Sequence, residues 1–228
     1  YDAVIKSLQR FEVIMIINKE GGDASPSLEF NESLQQRVQK TISLVKKYEP
    51  KKPLFGDYQV AEYDEFKSWS LDELIFYSYK LPNNIKNEVI ELSGNIYNHQ
   101  VFFSSITNRC INPPESILKA IEGSFSSFNH FIEEFYYTAL NFKNFGFVFM
   151  CIDENERIII VPTTMNNTTI PLNLYPLMGI DLFEHSYYPT YIYNKKEYIS
   201  CFLKYLNWNY INNEYLECIK RKTSKQIA

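Results

Sequence analysis

Asp181 and His185 stand four residues apart, the spacing that brings a carboxylate and an imidazole together on one side of a helical turn. A carboxylate oxygen and a neutral imidazole nitrogen both suit a divalent or trivalent first-row metal. By itself a D-x-x-x-H spacing is usually a hydrogen-bonded surface contact, so the surrounding residues must carry the inference. They form an octet, Asp181-Leu182-Phe183-Glu184-His185-Ser186-Tyr187-Tyr188. The chain holds two more histidines, His99 and His130, and none precedes His99.

The elements that must position these groups follow from periodicity. Asn31 or Ser33 caps a helix to about Tyr48, with Leu34, Val38, Ile42 and Val45 on its core face. Ser70-Leu71-Asp72-Glu73 is a capping-box start for a second helix, interrupted at Pro82-Asn83-Asn84 and followed by a helix over 86–106. Pro113-Pro114 divides the chain into halves. Residues 115–123 and 126–141 carry Phe and Ile at helical spacing, whereas 145–152 and 157–163 are β-rich around Asp153-Glu154-Asn155-Glu156, a hairpin turn. A third strand over 176–183 leads into the octet, and helices over 195–205 and 212–222 end the pattern. The expected class is α+β: an α-helical hairpin, then a three-stranded antiparallel sheet packed with helices. The expected organisation is an extension over 1–27, a helical hairpin over 28–111 and an α/β domain over 112–228. Within the extension, the apolar run Phe11–Ile17 suits a strand or docking arm.

Composition excludes more than it selects. A net charge of −4 offers no broad basic surface for nucleic acid; Lys46-Lys47, Lys51-Lys52 and the tail Lys220-Arg221-Lys222 with Lys225 are the basic clusters. Four scattered cysteines, none in a C-x-x-C pair, suit reduced core thiols in an intracellular compartment. No apolar run approaches the roughly 20 residues of a membrane span, and residues 1–22 lack a cleavable signal's pattern.

The octet resembles the D-x-[WF]-E-H-[STA]-[FY]-[FY] signature of iron/manganese superoxide dismutases at every position. Asn98-His99-Gln100-Val101-Phe102-Phe103 resembles the family's N-H-x-x-[FY]-[WF] segment. Gly123-Ser124-Phe125 with Phe128, Pro176-Leu177-Met178-Gly179-Ile180-Asp181 and Leu206-Asn207-Trp208 are similar to further family runs. The resemblance implies one iron or manganese held by three histidines and an aspartate, alternating between two oxidation states as superoxide is consumed. Carried over, His99, Asp181 and His185 fill three of those four positions.

The fourth is different. Aligning Glu32-Ser33-Leu34 with the family's E-T-L places Arg37 where a histidine belongs, and a guanidinium cannot coordinate because it stays protonated. Thr41, Ile42 and Val45 replace the histidines and tyrosine that follow it in the family. Asn95 stands where many iron members carry a glutamine beside the metal-bound solvent, Asn167 could supply another amide, and Phe147, Phe149 and Phe183 replace tryptophans. Two placements of Arg37 remain open: paired with Asp181 in place of the metal, or reaching to the surface.

In the family the glutamate at Glu184 crosses a twofold interface to the partner's histidine, the position of His185, and the tyrosine at Tyr188 approaches the same interface. The resemblance therefore implies a homo- or heterodimer, with Tyr188 and Asn95 at supporting positions of the site. Degenerate members are built into the small subunit of the mitochondrial ribosome. The expected function is thus a non-catalytic structural subunit of a large assembly in the mitochondrial matrix, with no cofactor, neighbouring subunits as partners and RNA contact through the basic tail. The alternative is an active superoxide dismutase, with iron or manganese in the residual site.

Overall fold

β1 (Gly146–Ile152) is buried at every residue, as a central strand covered on both faces must be. The computed structural model describes residues 69–227, with side chains to Lys222. The first helix, Arg37, Thr41, Ile42, Val45 and the extension over 1–27 lie outside these residues. β1 pairs antiparallel with β2 (Ile158–Thr164) and with β3 (Tyr175–Asp181), giving the order β2-β1-β3. Asp153 builds the β1–β2 turn: Oδ1 accepts from the main chain of Asn155 at 2.8 Å and Arg157 at 2.9 Å, while Oδ2 accepts from Arg157 Nε at 2.8 Å. The α+β class with a three-stranded antiparallel sheet is thus as expected.

Seven α-helices are seen among the described residues. α1 (Leu71–Phe76) begins with the expected capping box, in which Ser70 and Glu73 satisfy each other's main-chain N–H groups. α2 (Asn83–Ser104) packs on β3 and buries Gly94, Asn98, His99 and Phe102 along one face. A Cβ on Gly94 would lie 2.1 Å from the Asn166 carbonyl oxygen, so only glycine admits this approach of helix and loop. α3 (Glu115–Phe125) stops at Ser126, which turns left-handed at φ 67°, and Ser127 caps α4 (Phe128–Asn141) by accepting from His130 N at 3.1 Å. α5 (Glu184–Tyr191) follows β3, then α6 (Lys195–Lys204) and α7 (Trp208–Ile227). Phe102, Phe131, Phe135 and Phe202 stack between α2, α4 and α6, which fixes the helices around the sheet.

Three expectations need correction. The third strand stops at Asp181 rather than Phe183, because the Asp181 carboxylate takes the Phe183 N–H that would continue the ladder. The final helix starts at Trp208, not about 212, where Asn207 Oδ1 accepts from Tyr210 N at 3.3 Å. Cys110 is exposed and Cys201 half-buried, so only Cys151 and Cys218 are core thiols; all four are free. No described helix is long and apolar enough to cross a membrane.

Candidate metal centre

Asp181 is the last residue of β3 and His185 lies in the first turn of α5, so the pair meets across a strand-to-helix junction rather than on one helical turn. The octet is a corner. β3 delivers the carboxylate at full burial, while α5 swings His185 back over it with half its side chain exposed. His99 arrives from α2. Together His99, Asp181 and His185 offer three ligand atoms within 4.8 Å of one another.

Each contact of Asp181 is specific. Oδ1 accepts from Phe183 N at 2.9 Å, and Oδ2 accepts from Ser186 Oγ and lies 3.1 Å from His185 Nε2 and 3.4 Å from His99 Nε2. Its main-chain oxygen accepts from the Tyr198 hydroxyl at 2.7 Å, which ties α6 to the corner. His99 Nδ1 sits 2.8 Å from the Asn95 carbonyl, four residues back on α2. A carbonyl only accepts, so Nδ1 carries the proton and the neutral ring turns the Nε2 lone pair toward the carboxylate. Two lone pairs then face each other unless a proton or a cation lies between. That is the arrangement of a metal-binding imidazole oriented by a main-chain carbonyl, and the imidazole–carboxylate set suits iron or manganese.

Aromatic rings wall the cluster. Phe147 meets His99 edge-on at 5.5 Å, and Phe183 stacks on His185 at 5.4 Å. Phe149 lies behind Phe147 at 5.7 Å. Neither amide expected beside the cluster reaches it with its side chain. Asn95 points its side chain to Asn166 at 3.4 Å and touches His99 only through its main chain; Asn167 faces Thr164 and lends its carbonyl to Asn98 at 3.1 Å. Glu184 is exposed, and Tyr188, 37% exposed, packs its ring against Tyr193 at 5.1 Å. His130 is remote from the cluster in its bonding: it contacts the Phe125 carbonyl and Glu134 on its own helix. In the basic tail, Lys220 pairs with Glu217 at 3.1 Å and Lys222 donates to the Asp153 carbonyl. Ser186 and Tyr198 were not anticipated as partners of Asp181; Ser186 fills a signature position, while Tyr198 had no local signal.

Burial pushes the Asp181 carboxyl up, but hydrogen bonds and charge from His185 and His99 outweigh it and hold it at about 2. Burial also pushes His99 down, and Asp181 reverses this and leaves the imidazole above its ordinary value. In metal-free protein the Asp181 contribution to stability is present above its unfolded value and lost as pH falls through about 2. The His99 contribution is present below its unfolded value and lost as pH rises through the raised one. The stability difference between wild type and Asp181→Asn should therefore peak between about pH 4 and 6.5 and shrink on both sides. Urea midpoints across pH check this; a difference that stays flat contradicts it.

Residues 113–214 match the family described as iron/manganese superoxide dismutases, C-terminal domain. The chain is also similar to a manganese superoxide dismutase of Acinetobacter baylyi, 28% identical over 169 residues that cover 72% of each chain.

Proposed function

For this relative of the iron/manganese superoxide dismutases, we propose a role as a non-catalytic, paired subunit of a large mitochondrial assembly, with the small subunit of the mitochondrial ribosome as that assembly. One observation carries the loss of turnover. Of the three histidines in the chain, two are in the cluster and the third, His130, is engaged by the Phe125 carbonyl at the end of α3, so these residues hold no imidazole to complete a three-histidine set. The supporting amide is also turned away, since Asn95 faces Asn166. Arg37, assigned to the fourth family position by sequence register alone, carries a guanidinium, which cannot coordinate a metal.

Pairing supports the same role. Glu184, His185 and Tyr188 stand on the exposed first turns of α5, the positions through which the family joins its subunits, and homo- or heterodimers fit equally. Neighbouring subunits and RNA are the further partners, and the mitochondrial matrix is the proposed location. RNA contact is assigned to the basic tail, Lys220-Arg221-Lys222 with Lys225.

The alternative, an active superoxide dismutase, is favoured by the convergence of His99, Asp181 and His185 and by the orientation of His99. Those residues would hold iron or manganese, which when bound supplies one-electron redox chemistry. Gradient sedimentation of lysate containing tagged chain tests the proposed role. Co-migration with the small ribosomal subunit, abolished by dissociating the subunit, is expected; migration only as a free dimer would overturn it.

A further inference from the structure

His99, Asp181 and His185 come from α2, β3 and α5 and offer two imidazole nitrogens and one carboxylate oxygen. That is one imidazole fewer than the family's four-ligand set, and the remaining histidine, His130, bonds the Phe125 carbonyl. Asp181 Oδ2 lies 3.1 Å from His185 Nε2 and 3.4 Å from His99 Nε2. Zinc bonds of roughly 2.0–2.1 Å at tetrahedral angles separate neighbouring donors by about 3.4 Å, close to both contacts. The donors are also held from behind. The Asn95 carbonyl fixes His99 Nδ1 at 2.8 Å, and Phe183 N and Ser186 Oγ donate to the Asp181 carboxylate.

We propose that this cluster is a zinc site with three protein ligands and one solvent, tying α2, β3 and α5 together without redox chemistry. Two imidazoles, a carboxylate and one open position form a set that zinc accepts, since it favours four tetrahedral ligands. Zinc also stands above manganese(II) and iron(II) in affinity for such donors, and it has no second oxidation state to cycle through. The His185 side chain is 55% exposed, which gives it room to turn toward His99 and leaves the fourth position open to water. The imidazoles bind as neutral rings and Asp181 as the carboxylate, so no covalent bond of the protein changes. The zinc site stands on these three residues alone, so it and the proposed assembly fail separately.

The test equilibrates the intact, chelator-stripped chain with zinc, manganese(II) and iron(II) in competition, and separately with cobalt(II) as a spectroscopic probe. One zinc per chain, held on the order of 100-fold more tightly than manganese, is expected. Bound cobalt should show the intense visible bands of a four-coordinate ion, and zinc should bleach them. His99→Ala and His185→Ala should each lose the zinc, with far-UV circular dichroism confirming the fold; His185, the more exposed, decides the matter if His99→Ala does not fold. Zinc held no more tightly than manganese or the weak bands of a five- or six-coordinate cobalt overturns the proposal. So does a zinc ion retained by a folded variant, as an exposed thiol such as Cys110 would retain it.

Discussion

Replacing Asp181 by alanine should cost on the order of 3 kcal/mol of stability, since it removes the charged acceptor of several hydrogen bonds at a buried corner. The side chain is fully buried and receives the Phe183 N–H, the Ser186 hydroxyl and His185 Nε2. Alanine leaves these donors without their acceptor, two of them at the junction of β3 and α5. His99 also loses the group that draws its Nε2 toward the corner. The loss appears as a lower urea midpoint with an unchanged slope, and far-UV circular dichroism at low denaturant checks that the fold is retained. A variant as stable as wild type would mean that the corner is held by the aromatic packing of Phe147, Phe183 and His185 alone.

Gly94→Ala should have the second-largest effect, and its sign is informative. In a helix interior alanine ordinarily gains roughly 0.5–1 kcal/mol over glycine. At position 94 the new Cβ would sit 2.1 Å from the Asn166 oxygen and 3.2 Å from its carbonyl carbon, both main-chain atoms. α2 must then withdraw from the loop after β2, and the Asn98–Asn167 hydrogen bond at 3.1 Å is strained or lost. We expect a net loss of about 2 kcal/mol or more, since overpacking against backbone exceeds the propensity gain. Chemical denaturation reads it directly; stabilisation would show that helix and loop separate freely.

The sheet was legible because β1 and β2 are β-branched and aromatic runs flanking a turn that Asp153 closes from its own side chain. The capping box at Ser70 and Glu73 was legible for the same reason, being wholly local. Helix α5 was harder: it has eight residues with Pro189 inside, too short and too interrupted for a periodic pattern. That is why the Asp181–His185 spacing suggested a helical turn, although the aspartate closes a strand. Of the site, His99, Asp181 and His185 could be picked out by resemblance, while the groups that hold them could not. The Tyr198 bond to Asp181 joins residues on different elements, and the Asn95 carbonyl acts through backbone that any residue would provide. Cys110 illustrates the limit of composition, since cysteine usage says nothing about which thiol a loop leaves in solvent.

The proposed non-catalytic role requires that the cluster of His99, Asp181 and His185 does not turn over superoxide. Its most direct test is joint measurement of bound iron and manganese and of superoxide consumption on the purified chain. Well under one metal ion per chain, with superoxide decaying no faster than in buffer, is the predicted result. One iron or manganese per chain with rapid superoxide consumption, abolished by His99→Ala, would contradict it.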